Sequence, residues 1–176
     1  MATFLNLTGI NLINTLGCTL QETWLNTINS LDKPPTRFLF VLIEDFSLVA
    51  FSNAIEPLRL ANRIAKKQLY VWELASESGQ KVTCSNGITL DVSVDLNTAK
   101  SASYIVFCSG ENVRKYTTKS LINWIRKEAR KDITIGAICT ATYILAKAGL
   151  LNNSKSTIHW ENQEALKEEF CDLNIT

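Results

Sequence analysis

The sequence has little of what nucleic-acid-binding, membrane or secreted proteins require. Eighteen Lys and Arg residues face seventeen Asp and Glu residues, which leaves a formal charge of +1. Such a chain has no general attraction to phosphate backbones or anionic lipids. No stretch reaches the roughly 18 uninterrupted apolar residues of a membrane span. Residues 1–32 contain no Lys or Arg, so the charged start of a signal peptide is missing. We expect a soluble, cytoplasmic protein that does not bind DNA by itself.

Cysteine and histidine are too few and too scattered for a disulfide framework or a structural zinc site. The chain has one histidine and an odd number of cysteines, and no two cysteines form a C-x-x-C pair. The five cysteines are Cys18, Cys84, Cys108, Cys139 and Cys171. We therefore expect a reducing compartment, with no metal and no cofactor.

The chain divides into a lead segment and one domain. Residues 1–36 are rich in Asn, Thr and Leu, are weakly helical around "LQETWLNTIN", and end with "DKPP", whose paired prolines favour an extended linker. Residues 37–176 have enough apolar residues for a core of their own. No internal repeat or low-complexity segment is present.

Within residues 37–176, apolar runs of strand length alternate with amphipathic stretches. The predicted strands are "RFLFVLI" (37–43), "YVWELAS" (70–76), "SYIVFCSG" (103–110), "ITIGAI" (133–138) and a short "STIHW" (156–160). The predicted helices lie in "FSLVAFSNAIEPLRLANRI", "KSLINWIRKEARK", "TATYILAKAG" and "ENQEALKEEF". Continuous apolar strands indicate a parallel sheet that is covered on both faces. The predicted class is α/β.

Several residues predict local structure. Asn86 and Gly87 indicate a tight turn, and Gly149 a left-handed helix cap. Pro57, inside a helical pattern, predicts a kink or a restart, with Arg59 and Arg63 on a solvated face. Trp72 is predicted in the core and Trp124 on a helix face against the sheet.

The carboxyl ends of parallel strands are where such sheets bind ligands. The loops that begin at Glu44, Ser109 and Ile138 are therefore the candidate site. Cys139 follows a strand and precedes a helix almost directly, so we expect a sharp elbow that lifts the sulfur from the sheet and favours the thiolate. The alternative is that Cys139 is a small buried hydrophobe.

Any Cys-His chemistry in this chain must use His159, which lies twenty residues after Cys139. A structural histidine beside Trp160 is equally compatible with the sequence. A catalytic pair also needs a group that orients the histidine, and Glu161 is too near in sequence to be an obvious choice. Trp160 can form an aromatic wall for a cationic amine, although core packing is the commoner use of tryptophan.

Glu44 and Asp45 end the first predicted strand, at the same edge as Cys139. Their carboxylates can bind a ligand amine or the cysteine thiol, but helix capping is the commoner use of acidic residues there. We favour capping for Asp45 and Ser47.

Three segments together resemble a known family: "FLFVLIEDFSLVAFSNAIEPLRLANR", "YVWELASESGQKVTCSNGITL" and "GAICTATYILAKAGLLNNSKSTIHWEN". They are similar to the amino-terminal domain of a subgroup of AraC-type transcriptional regulators, which belongs to the PfpI-like branch of the class I glutamine amidotransferase-like superfamily. The resemblance covers about residues 37–170. It implies a flavodoxin-like three-layer sandwich with a mostly parallel sheet, whose last elements are expected to be missing from this chain.

The same resemblance implies a homodimer and a small-molecule ligand, often an amino acid or a quaternary amine such as betaine or carnitine. It implies contact with DNA only through a carboxyl-terminal helix-turn-helix domain that this chain does not contain. Catalytic relatives place a carboxylate where a rough alignment puts Ala50, and proteolytic relatives have histidine where Thr140 stands.

These departures favour a non-catalytic sensing domain. The ligand-binding residues are then expected to be Glu44, Asp45, Ser109, Gly110, Cys139, Thr140, His159 and Trp160. The alternative is a PfpI-like cysteine hydrolase or glyoxalase with Cys139 as nucleophile and His159 as acid or base. A third possibility is a decayed domain that binds nothing.

Overall fold

The four long apolar runs lie side by side in one parallel sheet. The computed structural model describes residues 33–152 and 154–176, so the predicted lead segment falls outside it apart from residues 33–36. The strand order is β5-β2-β1-β6-β7. The strands are β1 Thr36–Leu42, β2 Tyr70–Ser76, β5 Val94–Asp95, β6 Tyr104–Cys108 and β7 Thr134–Ile138.

Strand β1 lies at the centre and is covered on both faces, as its continuous apolar run predicts. Phe38 pairs with Trp72 of β2 on one side and with Tyr104 of β6 on the other. Alternate residues of β1 point to opposite faces. Leu39 and Val41 belong to one buried cluster, and Phe40 and Leu42 belong to a second.

Helices cover both faces of this sheet and form the outer two layers. They are α1 Leu48–Ala65, α2 Val113–Tyr116, α3 Lys119–Glu128, α4 Thr142–Ala148 and α5 Gln163–Glu169, with 3-10 turns at Cys139–Ala141 and Trp160–Asn162. Phe51 of α1 packs in the cluster of Phe40. Leu121 of α3 and Ile144 of α4 pack in the cluster of Leu39. The predicted three-layer α/β architecture is confirmed.

Smaller elements complete the fold. Strands β3 Val82–Thr83 and β4 Thr89–Leu90 form an antiparallel hairpin whose connection contains the predicted Asn86-Gly87 turn. Gly87 has a φ of 85°, and Gly149 ends α4 with a φ of 77°, as a left-handed cap requires. Strands β8 Lys155–Ser156 and β9 Asn174–Ile175 form a two-stranded parallel sheet.

Three of the four tryptophans lie in the described residues, and their environments differ, only one of them fully as predicted. Trp124 of α3 packs edge-on against Phe107, and its indole N–H donates a hydrogen bond to the carbonyl of Leu96 at 2.9 Å. Trp72 is half-buried at the border of the cluster that contains Phe40. Trp160 is 73% exposed. In the described part of the chain, no helix is long and apolar enough to cross a membrane.

Two local predictions are wrong, for the strand at 156–160 and for the helix cap at Asp45. Helix α1 continues through Pro57, so the chain does not restart there. The strand predicted at 156–160 ends at Ser156, and the chain turns into the 3-10 turn at Trp160 because β8 pairs only with the two residues of β9.

Ser47 caps α1 by accepting a hydrogen bond from the backbone N–H of Ala50 at 3.3 Å. Asp45 does not cap the helix, since its carboxylate accepts from the side-chain amide of Asn112 at 3.0 Å.

Candidate functional site

The backbone turns sharply at Cys139. Ile138 is still extended, with φ −125° and ψ 141°, and Cys139 has a φ of 60° before the 3-10 turn that leads into α4. A residue with a Cβ atom adopts this conformation at a cost of roughly 1–2 kcal/mol. The predicted elbow is therefore present, and its side chain leaves the sheet at the carboxyl edge.

Hydrogen bonds hold the loops after β1, β6 and β7 against each other. The hydroxyl of Thr140 donates to the carbonyl of Gly110 at 2.6 Å, and the N–H of Glu111 donates to the carbonyl of Asp45 at 3.0 Å. A Cβ atom on Gly110 would collide with that carbonyl of Asp45 and would lie 2.8 Å from the backbone nitrogen of Ser47. Glycine at 110 therefore permits the approach of the two loops.

A cavity of about 460 Å³ opens where these loops meet. It brings together four of the residues predicted from the sequence: Gly110, Cys139, Thr140 and His159. Its other lining residues include Ser47, Ser85 and Glu161, together with three charged side chains that were not predicted from the sequence: Glu111, Arg114 and Lys115. The volume lies in the range of about 300–1,000 Å³ that is usual for small-molecule sites.

The remaining predicted residues do not line this cavity. Glu44 accepts a hydrogen bond from the backbone N–H of Thr83 at 3.3 Å and lines a separate cavity of about 180 Å³. Asp45 is bound to Asn112, as described above. Ser109 is buried, and its hydroxyl has no hydrogen-bond partner among the described residues. Trp160 stacks obliquely beside His159, with ring centroids 5.7 Å apart, but faces solvent. The aromatic wall expected at Trp160 is not formed.

The thiol of Cys139 is less acidic than the sequence suggested. Burial raises the pKa of this thiol above its ordinary value, the N–H of Thr140 partly opposes the rise, and the negative charge of Glu161 adds to it. The expected preference for the thiolate is therefore wrong. The turn after Cys139 is only three residues long, and its N–H groups do not outweigh the loss of hydration.

His159 lies in the same cavity but forms no hydrogen bond with the thiol. Within the described residues, no hydrogen bond joins Cys139 to His159 or to a carboxylate. Glu161, which had seemed too near in sequence to orient the imidazole, has its carboxylate oxygen 3.6 Å from Nδ1 of His159. The 3-10 turn at Trp160–Asn162 makes this possible, because it folds the side chain at 161 back toward 159.

No metal centre is evident in residues 33–152 and 154–176, where no three Cys, His, Asp or Glu side chains form a group that could hold an ion. Ala50 stands in the first turn of α1 and supplies no carboxylate at the position where catalytic relatives are expected to have one.

Residues 36–173 match the model of the DJ-1/PfpI family. The chain belongs to the DJ-1/PfpI family. Among solved structures, this DJ-1/PfpI domain is similar to an AraC family transcriptional regulator from Pseudomonas putida, with a TM-score of 0.69, 24% identity, and coverage of 81% of this chain and 76% of the other. A DJ-1 superfamily protein from Agrobacterium tumefaciens gives a TM-score of 0.58 at 22% identity, covering 74% and 68%. Both likenesses concern the fold.

Three of the curated relatives are longer proteins, named as transcriptional regulators. The domain is 36% identical over 139 residues to the HTH-type transcriptional regulator CdhR of Pseudomonas aeruginosa, covering 79% of this chain and 41% of that protein. It is 36% identical over 140 residues to GlxA of Rhizobium meliloti, covering 78% and 43%, and 30% identical over 139 residues to GbdR of Pseudomonas aeruginosa, covering 79% and 38%. The chain thus spans less than half the length of these regulators.

Proposed function

We propose that this DJ-1/PfpI domain is a non-catalytic, small-molecule-sensing domain of an AraC-type transcriptional regulator. The observation that carries the proposal is the cavity at Cys139, which combines polar and charged side chains with a thiol whose pKa is raised and which forms no hydrogen bond with a described carboxylate. Such a pocket is suited to binding rather than to nucleophilic attack, since the thiolate is the reactive form. The names of the curated relatives support the regulatory role.

The ligand is a small zwitterion, either an amino acid or a quaternary-amine metabolite. Two cations, Arg114 and Lys115, and two carboxylates, Glu111 and Glu161, line the same cavity. A ligand carboxylate pairs with the former and a ligand ammonium with the latter. No Phe, Tyr or Trp side chain lines the described cavity, whereas quaternary ammonium groups are usually held by the faces of such rings. The lining therefore favours the primary ammonium of an amino acid.

The ligand shifts the equilibrium between two arrangements of a homodimer. The size of the shift is set by the difference between the ligand's affinities for the two arrangements. DNA is contacted by a helix-turn-helix domain, the feature that the names of the curated relatives state. Sedimentation equilibrium of the 176-residue chain tests the dimer. A single monomeric mass at all concentrations, with and without ligand, contradicts it.

A thermal-shift experiment tests the sensing role. The chain is melted with L-arginine, L-glutamate, glycine betaine or carnitine at constant ionic strength. We expect at least one of them to raise the Tm in a saturable way, since a ligand at about 100 times its Kd stabilises the fold by about 2.7 kcal/mol. Glu161→Gln should weaken that effect. Glu164→Gln is the matched control, because it removes the same charge outside the cavity, where Glu164 pairs with Lys167. Equal effects of the two variants, or no stabilising compound, contradict the proposal.

A second function rests on one observation: Cys139 and His159 line one cavity, with Glu161 beside the imidazole. This arrangement supports the PfpI-like cysteine hydrolase or glyoxalase. Methylglyoxal and a chromogenic peptide are suitable substrates. Turnover that Cys139→Ser abolishes and Cys171→Ser retains would replace the sensing proposal with the enzyme.

A further inference from the structure

A second cavity, of about 490 Å³, lies between the α2–α3 turn and the facing sides of α3 and α4. Four cationic side chains line it: Arg114, Lys119, Arg126 and Lys147. We call this cavity, with these four residues, the basic groove. Its neutral lining includes Asn123 and Tyr143. The cavity does not include Cys139, Thr140 or His159, so it is a separate site.

Two carboxylates offset part of this charge. Glu77, beside the cavity, accepts a hydrogen bond from the hydroxyl of Thr118, a lining residue, at 2.7 Å. Glu169 accepts from Arg114 at 3.0 Å and from Lys147 at 2.7 Å. Arg126 donates to the backbone carbonyls of Ala148 and Lys147 at 3.1 and 3.2 Å, which carry no full charge. Among the described residues, these contacts leave the basic groove with more cations than carboxylates. The whole chain has a formal charge of only +1, so this local excess of cations is not a general property of the chain.

Lys119 has no structural role that would explain its position. It makes no hydrogen bond or ion pair with any described residue, and it is the first residue of α3, whose first turn contains no acidic side chain. A cation at a helix amino terminus is opposed by the helix dipole. Lys119 therefore does not stabilise α3, and its ammonium group is available to a bound anion.

We infer that the basic groove binds a small oxyanion with two or more negative charges, either a phosphate compound or a polycarboxylate. Arg114, Lys119 and Lys147 surround the anion, while Asn123 supplies a neutral donor. The volume is that of a small-molecule site. Arg114 also lines the cavity at Cys139. An anion that draws Arg114 away from Glu169 therefore changes the affinity of the cavity at Cys139 for its own ligand. This site does not depend on the proposed sensing function.

Isothermal titration of the 176-residue chain with sodium pyrophosphate and, separately, with citrate tests the inference at constant ionic strength. We expect saturable binding of one anion per chain by at least one of the two. Lys119→Gln should weaken it about fivefold or more, because it removes a charge close to the anion. Lys127→Gln removes the same charge from another face of α3, where it lines a different cavity, and should change the affinity less than about twofold.

The titrations with pyrophosphate and citrate distinguish the two classes of anion. Binding of pyrophosphate alone assigns the groove to phosphate compounds, and binding of citrate alone assigns it to polycarboxylates. Absence of saturable binding by both anions overturns the inference. Equal weakening by Lys119→Gln and Lys127→Gln also overturns it, because binding would then reflect general charge. Lys119 is exposed and makes no contacts that the fold needs, so a circular dichroism spectrum identical to that of the unmodified chain is expected for its variant.

Discussion

At the scale of single residues, Cys139 combines a strained backbone with a thiol that burial keeps protonated. Because its pKa is raised above the ordinary value of 9.0, the thiolate fraction at pH 7 is smaller than that of a free thiol. We expect iodoacetamide to alkylate Cys139 more slowly than N-acetylcysteine at pH 7, with a rate that keeps rising above pH 9. Mass spectrometry of the labelled peptide measures the rate between pH 7 and 11. A rate that is already constant from pH 7 upward contradicts this prediction and favours the enzyme.

Gly110 is a second residue on which the site depends. Its lack of a side chain lets the loop after β6 lie against the backbone of the loop after β1. We expect Gly110→Ala to lower the free energy of unfolding by about 1–3 kcal/mol, the usual cost of overpacking, because the atoms in its way are backbone atoms. Gly136→Ala in β7 is the control, since a Cβ atom there meets nothing within 4 Å. Urea unfolding measures both. A Gly110→Ala variant as stable as Gly136→Ala contradicts the close approach of the loops.

Only some residues of the candidate site could be predicted from the sequence. Cys139, Thr140 and Gly110 were identified because strand ends meet at one edge of a parallel sheet. Trp160 and Asp45 were misassigned, since the direction of a side chain after a strand depends on the turn that follows. Arg114 was missed because it lies on α2, a four-residue helix with no visible periodicity.

At the scale of elements, helix α1 continues through Pro57, where the sequence predicted a kink or a restart. Pro57 has no N–H group, so the carbonyl of Asn53 lacks its usual helical partner. We expect Pro57→Ala to raise the free energy of unfolding by about 1–3 kcal/mol, measured by urea unfolding. Asn53→Ala improves helix propensity without restoring that hydrogen bond, and should gain at most about 0.7 kcal/mol. Equal gains by both variants would mean that the missing bond does not matter.

The elements also separate into those that the sequence specifies and those that tertiary pairing specifies. Strands β1, β2, β6 and β7 are mostly apolar runs of strand length, so the sequence indicated their positions. Strand β8 has two residues and exists through its pairing with Asn174 and Ile175, some twenty residues later. No local pattern in "STIHW" contains that information.

At the scale of the whole molecule, Glu169 connects three helices through hydrogen bonds and ion pairs. It ends α5 and accepts from Lys147 and Tyr143 of α4 and from Arg114 of α2. The hydrogen bond from Lys147 lowers the pKa of this carboxyl most, Tyr143 lowers it further, and the charges of Lys147 and Arg114 add to the effect against the opposing effect of burial. A lowered folded-state pKa gives stability that is present above the ordinary pKa of 4.5 and is lost as the pH falls through the lower folded-state value.

We therefore expect Glu169→Gln to lower the free energy of unfolding by about 0.5–1 kcal/mol at pH 7, since the ion pairs are partly exposed. The difference from the unmodified chain should shrink as the pH is lowered from 5 toward 2, because both chains then carry a neutral group at 169. Urea unfolding at pH 7, 5 and 3 measures it. Glu164→Gln is the control for a carboxylate that bridges residues of one helix only, through Lys167, and should cost less. A deficit in Glu169→Gln that is the same at pH 7 and pH 3 would mean that volume and packing, rather than charge, hold these helices together.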